Sequence, residues 1–232
     1  MISLFNESIN KFNDKINKCN ENINEIGNIS TFLEVVSIEK TDICNNSFHI
    51  LNEILLYEET YMINDYSNFI CPCCRNKDTL SFHKLYSRNL VFTIKDYLIT
   101  AKIKLIVLDC SHCKKYKKNQ HFHTLLPDFI LPYHSYSSNI ILDSISDKFN
   151  NEKIENITNK YKISYQLLYY WITILNKYLF VCSIILKIPI IISNIINRIN
   201  ENRKQFLKIF YQQYFHPFFL NRKTCIYSVI TP

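Results

Sequence analysis

The segment CPCCRNKDTLSFHKLYSRNLVFTIKDYLITAKIKLIVLDCSHC, residues 71–113, decides how the chain is read. It opens on Cys71-Pro72-Cys73-Cys74 and closes on Cys110-Ser111-His112-Cys113, so a C-x-x-C pair sits at each end. Between the pairs, LSFHKLYSRNLVF and AKIKLIVLDC run with a period near two and are rich in β-branched and aromatic residues, which predicts strands. One hairpin's worth of strand brings the two pairs together, as in a zinc ribbon. Tetrahedral zinc takes four soft donors, and each C-x-x-C supplies two from one tight turn. The spacing permits Cys71 and Cys74 as the first pair, with Cys73 spare or a replacement ligand, and Cys110 and Cys113 form the second. Four thiolates leave no open position, so the expected Zn2+ is structural, supplying folding energy that a small strand pair lacks. Two unrelated buried or redox C-x-x-C pairs are the alternative. His112, His121 and His123 are nearby substitute ligands, although an isolated histidine is more often hydrogen-bonded or exposed.

The remaining cysteines are Cys19, Cys44, Cys182 and Cys225, nine in all. An odd count, their clustering, and a polar opening MISLFNESINKFNDK without signal-peptide character predict reduced thiols and a cytoplasmic protein. The 232 residues suffice for one domain or two small ones. One Gly and one Ala stand against 37 Ile and 27 Asn, a drift toward A/T-rich codons that weakens what Ile, Asn, Lys and Tyr signify. The lone Gly27 excludes P-loop and dinucleotide cradles, which need several residues free to adopt positive φ or close approach. No G-x-S-x-G elbow, H-E-x-x-H pair or H-x-E deaminase signature surrounds any of the seven histidines. Net charge is −7 over residues 1–70, +5 over 71–155 and +9 over 156–232. The basic part suits a polyanion, either nucleic acid or an anionic bilayer.

Outward from the ribbon, Phe5, Ile9, Phe12, Ile16, Cys19, Ile23 and Ile26 form a heptad seam. It predicts either a coiled coil pairing two copies through residues 5–26 or an amphipathic helix folded on its own domain. Residues 31–62 are expected to be helical or irregular. After the ribbon, KKYKKNQHFHTLLPDFILPYH reads as a polar, Pro-bearing connector, and helical spacing resumes with Ile140, Ile141, Ile145 and Phe149. Two further helices, KIENITNKY and SYQLLYYWITILNKY, meet at a turn near Lys162, with Ser164 as N-cap. The apolar stretch 179–196 carries Lys187, Pro189 and Asn194, so a buried helix or kinked pair is favoured over a spanning helix. The fold class is α+β. Its parts are an N-terminal helical segment (1–66), the ribbon and connector (67–135), a helix-turn-helix (136–178) and an apolar, then basic-aromatic tail (179–232).

In the helix pair, Ile154, Ile157 and Ile163 are placed to pack the first helix and turn, while Leu168, Trp171, Ile172 and Leu175 make a stripe on the second. Tyr165, Gln166, Tyr169, Tyr170, Thr173 and Lys177 then face outward, where they suit base edges and phosphates of a major groove, or plain solvent. Lys114, Lys115, Lys117 and Lys118 follow the second cysteine pair and suit phosphate neutralisation.

The order CPCC, LYSRNL, LDCSHCKKYKKNQHFHTLLPDFILPYHSYS and a helix pair ending in YYWI resembles an uncharacterised bacterial family of transposase-like proteins with an insertion-sequence-type zinc ribbon. The resemblance spans about residues 68–178, is most specific from His123 to Tyr133, and implies binding to double-stranded DNA in a mobile-element context. A transposase gathers three carboxylates around two metal ions, yet residues 156–232 hold only Glu201. Asp96, Asp109, Asp128, Asp143 and Asp147 read as capping, turn or surface residues. The expectation is therefore a non-enzymatic zinc-ribbon and helix-turn-helix DNA-binding protein. A membrane-associated protein anchored through residues 179–196, or a zinc-ribbon adaptor for other proteins, is the alternative.

Overall fold

The computed structural model describes residues 30–45, 48–116, 121–214, 218–219 and 227–229. The seam of residues 5–26, together with Lys117 and Lys118, lies outside them. The class is α+β, as expected, with strands β1 (Leu33–Asn45), β2 (Leu80–Cys110), β3 (Phe122–Leu126) and β4 (Tyr227–Val229) in one sheet of that order. Helices are α1 (Phe48–Ile63), α2 (Ser111–Lys115), α3 (Ser138–Phe149), α4 (Ile154–Tyr161), α5 (Tyr165–Leu186), α6 (Ile192–Glu201) and α7 (Arg203–Tyr214).

β2 has 31 residues in strand conformation. Fully extended it would span about 100 Å at roughly 3.3 Å per residue, yet Ser111 N donates to Thr79 O at 2.9 Å just beyond its ends. The run therefore doubles back on itself, and its two arms are the two strands expected between the cysteine pairs. β1 pairs antiparallel with it, Leu33 opposite Ile103 and Lys40 opposite Tyr97. β3 pairs antiparallel with its last turn of residues, Leu108 opposite His123, and β4 adds in parallel to β3.

Two expectations need correction here. Residues 33–45 form a strand, not helical or irregular structure. Their alternation is interrupted by a register shift between Val35 and Ser37, so the inward residues Leu33, Val35 and Ile38 are not evenly spaced, and the period-two signal is lost. The connector is not a polar loop beyond residue 124, because Leu125 to Pro132 are all buried. Asp128 does sit in a turn, closed by Ile130 N donating to Pro127 O at 3.0 Å, but is buried there. Its charge, with those of Asp143 and Glu53, acts favourably on the Arg203 guanidinium.

Two apolar clusters result. The first packs α1 on the sheet through Ile50, Leu51, Ile54 and Tyr57, and includes Phe92, Ile106 and Phe129. Tyr57 Oη donates to Leu125 O at 2.8 Å and accepts from Ile106 N at 2.6 Å, pinning α1 to both β2 and β3. The second gathers Ile140, Ile141 and Ile145 of α3 with Leu168, Trp171 and Leu175 of α5 and the inner faces of α6 and α7. Phe149, expected in that packing, is 40% exposed. β2 enters both clusters, through Leu90 and Phe92 on one side and Leu98 on the other.

The apolar stretch 179–196 is divided. α5 stops at Leu186, Lys187 turns left-handed at φ 55°, and α6 begins at Ile192 after Pro189. Pro cannot continue the preceding hydrogen-bond ladder, so the kinked pair of helices is what forms.

Candidate metal centre

The first knuckle is a tight turn in which Cys71 O accepts from Arg75 N at 2.7 Å and Cys71 N donates to Asn76 O at 3.0 Å. Arg75 takes a left-handed φ of 62° to close it. The second knuckle is the start of α2, where Cys110 is the N-cap and its Sγ accepts from Cys113 N at 3.4 Å. Because β2 doubles back, these turns lie side by side. The Sγ atoms of Cys71, Cys74, Cys110 and Cys113 all fall within 4.8 Å of one another. Cys71 and Cys113 are 3.6 Å apart and Cys74 and Cys110 are 3.7 Å apart. Zn–S bonds of about 2.3 Å in a tetrahedron imply S···S edges of about 3.8 Å, whereas a disulfide would need about 2.05 Å. The four sulfurs thus have the dimensions of a tetrahedral metal site. Cys73 is not among them, as the spacing anticipates.

The electrostatics point the same way. Burial pushes the Cys71 thiol up to about 12 and also raises Cys113, whose sulfur neighbours Cys110 and Cys71 add to the effect. Burial works against ionisation of Cys110 too, but its hydrogen bonding with Thr79, the Cys113 backbone N–H and the Cys71 and Cys113 sulfurs outweighs it and brings that thiol down to about 7. Four neighbouring thiolates in a dry pocket repel one another, and a divalent cation is what lets all four ionise.

None of the three nearby histidines joins the four sulfurs. His123 is buried and its Nε2 lies 3.3 Å from Cys71 Sγ. Burial holds its imidazolium form down to about 4, so the ring is neutral. With a proton on Nε2 it donates to the Cys71 sulfur and braces it from behind, the role of a residue outside the ligand set. His121 Nδ1 is 2.9 Å from Asp109 Oδ1, and His112 packs on Tyr116 with ring centroids 4.6 Å apart.

Around the centre the surface is basic and aromatic. Lys114 and Lys115 are exposed as expected, but Lys114 Nζ is 3.2 Å from Asp109 Oδ2 and so is partly neutralised. Phe122 lies between His83 and His121, at centroid distances of 4.4 and 3.9 Å.

The helix pair, α4 and α5, follows the connector and α3 in the chain. The turn near Lys162 and the Ser164 cap, which accepts from Leu167 N, form as the sequence predicts, and Lys162 makes that turn left-handed, at φ 53°. Ile157, Ile163, Leu168, Trp171 and Leu175 are buried, while Ile154 and Ile172 are only partly so. Tyr165, Gln166, Tyr169, Tyr170, Thr173 and Lys177 are all exposed.

Fold and site together define an α+β chain organised around a four-cysteine centre. Residues 71–162 match the family model described as a domain of unknown function, DUF6431. The match begins on the first of the four clustered cysteines and ends on the turn after α4, so it takes in the centre, the buried connector, α3 and α4, but stops short of α5. No curated protein and no solved structure matches the chain.

Proposed function

We propose that the chain is a zinc-dependent DNA-binding protein in which a structural Zn2+ at Cys71, Cys74, Cys110 and Cys113 braces a helix-turn-helix, α4 and α5, against the sheet. The observation that carries this reading is the division of α5. One side packs Leu168, Trp171, Ile174 and Leu175 into the core, and the other leaves three tyrosines, Gln166, Thr173 and Lys177 exposed. A second helix of a tight pair, fixed from behind and polar-aromatic in front, suits insertion into a major groove. The resemblance of residues 68–178 to transposase-like proteins supports a mobile-element context. Asp109, Asp143 and Asp147 are each engaged with basic or amide partners, which supports a binding role without phosphodiester chemistry. The compartment that fits is the cytoplasm.

Elemental analysis with a duplex titration at two salt concentrations tests the proposal. Expected are one zinc per chain and affinity that falls steeply with salt. Serine at Cys74 or Cys110 should release the zinc and loosen residues 70–125; retention of a full equivalent refutes the ligand set. Alanine at Lys114, Lys115, Lys117 and Lys118 should flatten the salt dependence. An unchanged slope removes them from the contact surface.

One observation favours a second reading. α5 is the one helix among the described residues long and apolar enough to cross a membrane, although a third of its apolar window is already buried in the protein. Fractionation separates the two: a bilayer protein pellets with membranes, while a DNA binder is released by salt or nuclease.

A further inference from the structure

Lys40 is the only Lys or Arg between Lys18 and Arg75, in the acidic part of the chain. β1 carries it to the place where α4 packs on the sheet. There a cleft of about 760 Å³ lies beside the two elements, and its lining among the described residues is polar, Lys40, Lys160 and Lys162 included. Lys160 is already balanced, its Nζ 2.8 Å from Asp147 Oδ2, which also accepts from Tyr161 Oη at 2.9 Å. Glu152, the other acid in the lining, lies just before α4 and accepts from Asn156 in its first turn. Among the described residues Lys40 and Lys162 have no ion-pair partner.

Two cations without an ion-pair partner among the described residues, from segments about 120 residues apart, thus line one polar cleft. The three lysines of the described lining outnumber its two carboxylates, Asp147 and Glu152, so a positive excess is left for an anion to take up. Asn156 and Asn159 add neutral amides to the same lining. Lys162 precedes the first residue of α5 by three positions, so the cleft opens beside the end of α5 that enters the groove in the proposed docking. In such docking the first helix and its surroundings cross the sugar-phosphate strand flanking that groove.

We infer that the cleft between β1 and α4 holds a phosphodiester group of that flanking strand, with Lys40 and Lys162 as its cationic contacts. The sheet then grips the same duplex that α5 reads. This rests on the DNA-binding reading above.

The test uses the full zinc-loaded chain, a duplex titrated over a range of salt, and the variants Lys40→Ala, Lys162→Gly and the exposed control Lys104→Ala. Glycine relieves the left-handed turn at position 162, so loss of fold does not confound that variant; thermal melts confirm it. Each cleft variant should lower the slope of log affinity against log salt by about 0.9, equally on unrelated duplexes, and the control should leave it unchanged. A wild-type chain that binds duplex with a slope both variants retain overturns the cleft and spares the helix reading. A wild-type chain with no salt-dependent duplex binding overturns both. Loss of inorganic-phosphate binding in the variants with duplex binding intact would make the cleft a free-anion site and also overturn the inference.

Discussion

His123 is the residue whose role depends most on its neighbours. Its Nε2 meets Cys71 Sγ only because the β2–β3 register sets it opposite Leu108, one short step from the second cysteine pair. Replacement by Ala should keep one zinc per chain but weaken its affinity about 10- to 100-fold, as read by competition with a chromophoric chelator. Unchanged affinity would make His123 a packing residue. The four cysteines were legible in the sequence because a C-x-x-C knuckle is local chemistry, complete within four residues. His123 was not, since nothing near residue 123 announces which sulfur a neighbouring strand will bring to it. The left-handed positions were also hidden. Arg75, Lys162 and Lys187 adopt φ of 62°, 53° and 55°, in places where a chain with more than one glycine would use it.

At the scale of elements, one phenol joins α1 to two strands. Tyr57 reaches between α1 and the sheet to satisfy one backbone donor and one backbone acceptor, and burial raises its ionisation well above the phenol's usual range, so it stays neutral and keeps both bonds. Tyr57→Phe keeps the ring but strands Ile106 N and Leu125 O in the core. It should cost about 2–3 kcal/mol in urea unfolding; a cost below about 0.5 kcal/mol would mean water replaces the hydroxyl. Helices α3, α4 and α5 were legible from period and caps, since Ser164 and the Leu168, Trp171, Leu175 stripe are strong local signals. β1 was illegible because its bulge shifts the alternation between Val35 and Ser37. The break between α5 and α6 was half-legible, Pro189 marking it within an otherwise unbroken apolar run.

For the molecule as a whole, the two apolar clusters meet along β2 and the connector, and His134 sits at that junction. It is buried, with Tyr170, Trp171 and Phe219 around it at centroid distances of 6.1, 6.4 and 5.5 Å. Burial, aided by the nearby Arg88 charge, holds its imidazolium form down to about 4 against an ordinary 6.5. The unfolded chain therefore binds the proton more readily than the folded one. Stability from this group is full above pH 6.5 and is lost as pH falls from there toward 4, by about 3 kcal/mol in total. The melting temperature of the wild type should fall more steeply between pH 6.5 and 4.5 than that of His134→Gln. Acid also competes for the cysteine sulfurs, but equally in both proteins, so the difference in slope isolates His134. Parallel slopes would show that His134 is solvated.

The doubling back of β2 gives loss of the proposed zinc a direction. Its open end is clasped by the sulfurs, while its middle is wedged between the two clusters. A chelator should not melt the protein at once but part it like a zip, with amide hydrogens beside Thr79 and Ser111 surrendered first and those near Ile99 and Ile103 last. The helices would outlive their brace for a while, intact yet no longer aimed.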